Sequence, residues 1–135
     1  MAYNIAVVNS SSFGQVFTEH WQDLEKSGTV KRFMLPTDID GKSLAEKLHG
    51  FNIIIASVTP FFNKDFFDNK DDTLLISRHG IGFNNVDLHA AKKHGTQVAI
   101  VPQKVERNSV AENELANLMA LVRRVVPSSE RERAG

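Results

Sequence analysis

The sequence predicts a doubly wound parallel α/β layer, on three observations. Short continuous apolar runs of strand length recur along it, suited to burial on both faces rather than to alternation in and out. Between them lie stretches with helical apolar spacing, opened by Ser, Asp or Asn and closed by glycine. The two kinds of segment alternate along the chain, without a repeat or a low-complexity tract.

Ile5-Ala6-Val7-Val8 is the first apolar run and predicts a central strand. It ends in Asn9-Ser10-Ser11-Ser12. Ser12 and Gln15 there match a capping box for a helix through Trp21 and Leu24, which Gly28 closes. Val30 to Leu35 is the second strand, less uniformly apolar and so nearer an edge, and Pro36 ends it. Asp40 caps a helix carrying Leu44, Ala45 and Leu48, with Gly50 as its C′ residue. Phe51 to Ala56 is the third and most apolar strand. Ser57-Val58-Thr59-Pro60 is the loop after it, followed by a short amphipathic piece with Phe62, Phe66 and Phe67 and a polar turn over 69–72.

Leu74-Leu75-Ile76 begins the fourth strand, which breaks into Gly80-Ile81-Gly82 and then into Asn84, Asn85 and Asp87. Leu88, Ala90 and Ala91 follow at helical spacing, and that helix runs to His94 and stops at Gly95. Thr96 to Val101 is the fifth strand, ended by Pro102. Ser109 and Glu112 form another capping box, opening a helix with Ala111, Leu115, Leu118, Met119 and Val122 on one stripe. Pro127 stops or kinks this helix, and the remaining tail is polar.

Five strands alternating with five helices in a chain of 135 residues favour the flavodoxin-like, three-layer arrangement with strand order 2-1-3-4-5. Its crevice lies outside the C-terminal ends of strands one and three. The rim is then Ser10 to Ser12, Ser57 to Thr59 and Gly80 to Asn84, all small, polar or glycine-rich. A strand–loop–helix junction such as Gly80 to Asp87 points free backbone N–H groups at one spot, with the helix dipole behind them, and favours a phosphate or a carboxylate. The alternative is an ordinary βα loop that needs glycine only to turn.

Composition narrows the chemistry. Lys plus Arg equals Asp plus Glu at 16 each, so no net field recruits nucleic acid or anionic lipid. Without cysteine there is no disulfide, thiolate zinc site or cysteine nucleophile. The apolar runs fall far short of membrane length, and a soluble cytoplasmic domain is expected. Gly80-x-Gly82 is a poor dinucleotide fingerprint, since its last position would be Asn85. Gly41-Lys42-Ser43 lacks the upstream glycine of a P-loop. A phospho-receiver wants acids where Asn9 and Ser57 stand. His20, His49, His89 and His94 fall on helices or at their ends, and only His79 abuts the glycine loop. No histidine pair has ligand spacing with a third donor nearby, so no metal site is expected. Ser10 to Ser12 have no base in sequence view, and Asn84 with Asp87 reads as a plain capping pair.

The residues also carry a resemblance. Gly80-Ile81-Gly82-Phe83-Asn84-Asn85-Val86-Asp87-Leu88, then Ala90-Ala91, Gly95, Val98, Val101-Pro102 and Ser109-Val110-Ala111-Glu112, resembles the N-terminal part of the D-isomer-specific 2-hydroxyacid dehydrogenases. These are NAD(P)-dependent enzymes that include phosphoglycerate dehydrogenase and the D-lactate, glyoxylate and hydroxypyruvate reductases. The resemblance spans nearly the whole chain from Ile5. It implies a flavodoxin-like substrate-binding domain over 1–104. The remaining 105–135 would be an interdomain helix and the start of the linker to a NAD-binding domain that this chain does not contain.

By the same resemblance, the amides of Ile81 and Gly82 hold the carboxylate of a small 2-oxo or 2-hydroxy acid. Gly80 and Asn84 belong to that loop, and Ser57, Val58 and Thr59 lie across the cleft. The helix at Ser109 and Val110 starts near the nicotinamide. Phe83 stands where Tyr is common and Asn84 where Asp is common. Ala56 and Ser57 stand where many phosphoglycerate dehydrogenases carry an Arg, which argues against a phosphorylated substrate. The family's GxGxxG, catalytic Arg, orienting acid and catalytic His have no counterpart here, so no catalytic residue is expected in this chain, which reads as truncated. NAD or NADP would bind in the absent domain and none to this chain. A homo-oligomer through the 109–126 helix is expected. The rival readings are a stand-alone, non-catalytic flavodoxin-like binding or interaction module and, last, a flavin-binding flavodoxin.

Overall fold

A computed structural model describes residues 2–135. The strands are β1 (Tyr3–Val8), β2 (Gly28–Phe33), β3 (Ile53–Ala56), β4 (Leu75–Arg78) and β5 (Gln97–Ala99). The helices are α1 (Thr18–Glu25), α2 (Gly41–Lys47), α3 (Lys64–Asn69), α4 (Leu88–Lys93), α5 (Gln103–Val122) and α6 (Val125–Ala134). All five strands are parallel in one sheet, in the order β2-β1-β3-β4-β5, as the sequence predicts. The chain divides into two compact units, the first ending at Val101 and the second spanning Pro102–Gly135.

Burial on both faces explains the continuous apolar runs. Ile5, Ala6, Val7 and Val8 are each 1% exposed or less. The register carries their alternation into β3: Ala6 pairs with Ile54 and Val8 with Ala56 on one face, while Ile5 pairs with Ile53 and Val7 with Ile55 on the other. Leu44, Ala45 and Leu48 of the α2 segment, Phe66 and Phe67 of α3, and Ala90 and Ala91 of α4 cover the first face. Phe66 meets Phe62 and Phe67 edge to face, with ring centroids 5.0 and 5.2 Å apart. Phe13, Trp21, Leu24 and Val30 pack on the second. Asp40 caps α2 by accepting from the Ser43 amide at 2.9 Å, and that bond holds its carboxyl below the ordinary range.

Several boundaries differ from the sequence expectation. The Ser12–Gln15 capping box does not start α1. Backbone turns from the Ser12 carbonyl to the amides of Gln15 and Val16 pass through Gly14 at φ 68°, and Arg32 donates to the carbonyls of Ser10 and Phe13. That guanidinium also lies 4.8 Å over the Trp21 ring. A contact from β2 thus holds this segment as a loop, and the helix begins only at Thr18. Gly28 does not close α1 either. It opens β2, where an added Cβ would sit 1.8 Å from the Tyr3 carbonyl oxygen.

In the second unit, α5 begins directly after Pro102, whose φ of −57° suits a helix start, so Ser109 and Glu112 lie inside the helix instead of capping it. Pro127 does not end α5. The break comes earlier, at Arg124, which takes a left-handed conformation. Pro127 then falls in the first turn of α6, where its missing N–H has no intrahelical role. The polar tail is therefore a sixth helix. Among the described residues, no helix is long and apolar enough to cross a membrane.

Substituting Gly28→Ala is expected to cost about 1–3 kcal/mol or more, because the new methyl meets backbone that cannot rotate aside. Urea unfolding measures it, and a variant as stable as the parent would mean that β1 and β2 do not approach so closely.

Candidate carboxylate-binding site

β1, β3 and β4 lie side by side in the sheet, so the loops leaving their C-terminal ends converge. Asn9, at φ 51°, ends β1 and binds across to the β2 end. Its Oδ1 accepts from the Leu35 amide at 2.7 Å, and its Nδ2 donates to the Leu35 carbonyl at 3.0 Å and to Thr59 Oγ1 at 3.3 Å. Asn85, 5% exposed, donates through Nδ2 to the carbonyls of Ser57 at 3.1 Å and Pro60 at 3.0 Å. Arg78, 3% exposed, donates through Nη1 to the Ala56 carbonyl at 2.7 Å and through Nε to the Gly82 carbonyl at 2.8 Å. A short parallel bridge between Phe62 and Val86 completes the junction of the two loops.

The glycine loop is held by its carbonyls. The Gly80 carbonyl accepts from the Val101 amide at 3.1 Å. In a trans peptide the N–H opposes the C=O, so the Ile81 N–H points away from that anchor. Among the described residues, no protein acceptor takes a hydrogen bond from the amides of Ile81 or Gly82. A Cβ at Gly82 would meet nothing within 4 Å, and Gly82 is not in the left-handed region. Turning is therefore not what Gly82 is needed for; what it leaves is open space in front of the backbone.

That space is a cavity of about 260 Å³ lined by Val58, Phe61, Arg78, Gly82, Asn84 and Asn85. Its lining residues include an arginine, two asparagines, a glycine and two apolar residues and, among the described residues, no carboxylate. Such a surface suits a small anion with a short apolar part.

Of the residues singled out in the sequence, Val58, Gly82 and Asn84 line this cavity. Gly80 and Ile81 belong to its loop. Ser57 and Thr59 are not among its lining residues: the Ser57 carbonyl accepts from Asn85 and the Thr59 hydroxyl from Asn9. Ser109 and Val110 lie in the second unit, exposed and within α5. Asn84 does not share in capping α4. Asp87 alone does this, its Oδ1 accepting from the Ala90 amide at 2.9 Å. A carboxylate thus already occupies the N-terminus of α4, which leaves that helix end no place for a second anion. For the same reason the loop does not fit a dinucleotide. Asp87 stands where a pyrophosphate would go, and Asn85, in the place of the third glycine, is buried between two carbonyls.

Sequence reasoning missed Arg78 and the role of Asn85. The available signal was a cationic residue ending an otherwise buried strand, a position where charge must be paired. It also found no base for the serines, yet the fold brings His79 Nδ1 within 3.1 Å of Ser10 Oγ. Phe13 meets the same imidazole edge-on at 5.3 Å and donates its amide to Ser10 Oγ at 3.4 Å. Among the described residues no carboxylate bonds His79, so this cluster orders the loop after β1. His94 bonds Asp68 at 2.9 Å, and Lys64, followed by His94, holds the Asp68 carboxyl below its ordinary range. Among the described residues, no group of three His, Cys, Asp or Glu side chains is placed to hold a metal.

Known proteins share this architecture. The glyoxylate reductase of Pyrococcus furiosus is 24% identical over 112 residues, covering 83% of this chain and 33% of that protein. The apo structure of D-lactate dehydrogenase from Escherichia coli superposes with a TM-score of 0.76 at 24% identity, over 98% of this chain and 42% of that one. The pyruvate reductase of Chlamydomonas reinhardtii does so with a TM-score of 0.74 at 23% identity, over 99% and 39%. The chain thus spans about a third of the length of the curated relative and about two fifths of the solved structures. The family model described as D-isomer specific 2-hydroxyacid dehydrogenase, catalytic domain, matches residues 4–125, and this chain belongs to that family.

Proposed function

We propose that this chain is the substrate-binding lobe of an NAD(P)-dependent D-2-hydroxyacid dehydrogenase. The parent reaction moves a hydride between the nicotinamide and C2 of a small 2-oxo or 2-hydroxy acid. The observation that carries this reading is the pair of unengaged amides at Ile81 and Gly82, beside a cavity walled by Arg78 and free of carboxylates. Those two amides grip the substrate carboxylate, as a fixed oxyanion site does, and Asn84 and Val58 flank it. Holding the acid in one orientation is this lobe's contribution to rate. The nicotinamide, the base and the group that polarises the keto oxygen belong to a separate lobe, and Ser109 and Val110 on α5 lie toward it. The 260 Å³ cavity and the absence of a second basic side chain in its wall favour a short, unphosphorylated acid. A cytoplasmic location belongs to the same reading.

Val105, Val110, Leu115, Leu118, Met119 and Val122 of α5 are exposed, the last four at helical spacing. We assign this stripe to pairing between copies of the protein, since contiguous apolar surface is seldom left in water.

Three measurements test the reading. The purified chain with NADH and glyoxylate or pyruvate is expected to give no turnover, and measurable oxidation of NADH by it would contradict the division of labour. Gly82→Ala is expected to leave stability within about 1 kcal/mol of the parent, since the residue has room and an ordinary backbone conformation. It nonetheless fills the space before the amides, so calorimetric affinity for oxamate, a pyruvate isostere, is expected to fall. Unchanged affinity would remove the loop from the site. Sedimentation equilibrium is expected to show self-association that Leu115→Glu together with Leu118→Glu weakens; a monomer at all concentrations would rule out pairing through α5.

A further inference from the structure

We propose that Arg78 is a positioning residue for this site: its buried guanidinium holds the Gly82 carbonyl and so keeps the amides of the glycine loop turned toward the cavity. The proposal rests on the carboxylate reading given above. Glycines at 80 and 82 leave this loop unusually free, and a free loop loses entropy when it must order around a ligand. Each glycine carbonyl is, however, tied down. Val101 donates its amide to Gly80, and Arg78 donates Nε to Gly82. A carbonyl and the following N–H share one rigid plane. The Val101 anchor on Gly80 therefore fixes the plane that carries the Ile81 N–H, and the Arg78 anchor on Gly82 fixes the Gly82–Phe83 plane. The Ile81–Gly82 peptide, which carries the Gly82 N–H, is held between these two fixed planes.

The other arm of Arg78 sets where that anchor stands. Nη1 donates to the Ala56 carbonyl, and Ala56 is the register partner of Arg78 across β3 and β4. One planar fork therefore joins the end of β3, the end of β4 and the glycine loop. A lysine carries the charge but bears its donors on one nitrogen, without the separate, coplanar Nε and Nη1 that meet the Gly82 and Ala56 carbonyls. A glutamine has neither the charge nor that spacing. Arg78 also lines the cavity, and a positive charge next to it favours an anion.

The test is a titration of the isotopically labelled chain with oxamate, followed on backbone amides and on the arginine Nε–H signals. The amides of Ile81 and Gly82 and the Nε–H of Arg78 are expected to shift along one saturable curve. In Arg78→Gln and Arg78→Lys the amides of Ile54 and Ile76 are expected to keep their positions, which reports an intact sheet. Oxamate affinity is expected to fall about tenfold or more in both, the loss of a hydrogen bond to a charged group. Binding within about twofold of the parent in either variant overturns the proposal. Recovery by lysine alone would mean that charge acts and the fork does not. A parent chain that binds oxamate away from Ile81 and Gly82, or not at all, overturns the carboxylate reading and this proposal with it. Should both variants unfold, the parent's Arg78 Nε–H decides: slow exchange with water that slows further with oxamate supports the anchor, and exchange as fast as that of exposed Arg131 rejects it.

Discussion

Carbonyl oxygens in the loops that leave the C-terminal ends of β3 and β4 impose the constraint on which this molecule depends. Ser57, Pro60 and Gly82 present oxygens beyond the ladder, next to the last ladder carbonyl at Ala56, which accepts the His79 amide. A carbonyl removed from water without a donor is costly. Two side chains answer it. Arg78 supplies donors to Ala56 and Gly82, and Asn85 supplies them to Ser57 and Pro60. Among the described residues no buried side-chain nitrogen or oxygen lacks a partner. The sheet's apolar interior brings these ends together, and the polar clasp decides how they meet.

The same clasp shapes the cleft. With the Ser57 and Gly82 carbonyls held by Asn85 and Arg78, Val58 from one loop and Gly82 and Asn84 from the other line the cavity between them. Glycine at 82 keeps the approach clear. Asp87 meanwhile fills the N-terminus of α4, so under the proposed reading an incoming anion meets individual donors in place of a helix dipole. A small carboxylate, planar and singly charged, matches that arrangement better than a phosphate, which would seek more donors and more positive charge.

Much of this was legible in the residues themselves. The runs at Ile5–Val8, Ile53–Ala56 and Leu75–Ile76 announce strands covered on both faces, and Asp40 caps its helix within three residues of itself. Local bonds of that kind are readable because both partners sit in one window. What resisted reading is non-local. Arg32 reaches from β2 to carbonyls 19 and 22 residues earlier and so delays α1, which no capping box can reveal. Ser10 and His79 are 69 residues apart. Arg78 reads as one more cation until the fold places the Ala56 carbonyl, 22 residues upstream, against it. Family resemblance located the glycine loop, but the residues that hold it emerged only from the hydrogen bonds.

The most direct measurement is a crystal structure of this chain with oxamate bound. The account predicts the oxamate carboxylate within hydrogen-bonding distance of both the Ile81 and Gly82 nitrogens, with Asn84 beside it and the Arg78–Gly82 bond intact. Oxamate seated elsewhere, or a glycine loop whose amides turn into the protein, would contradict it.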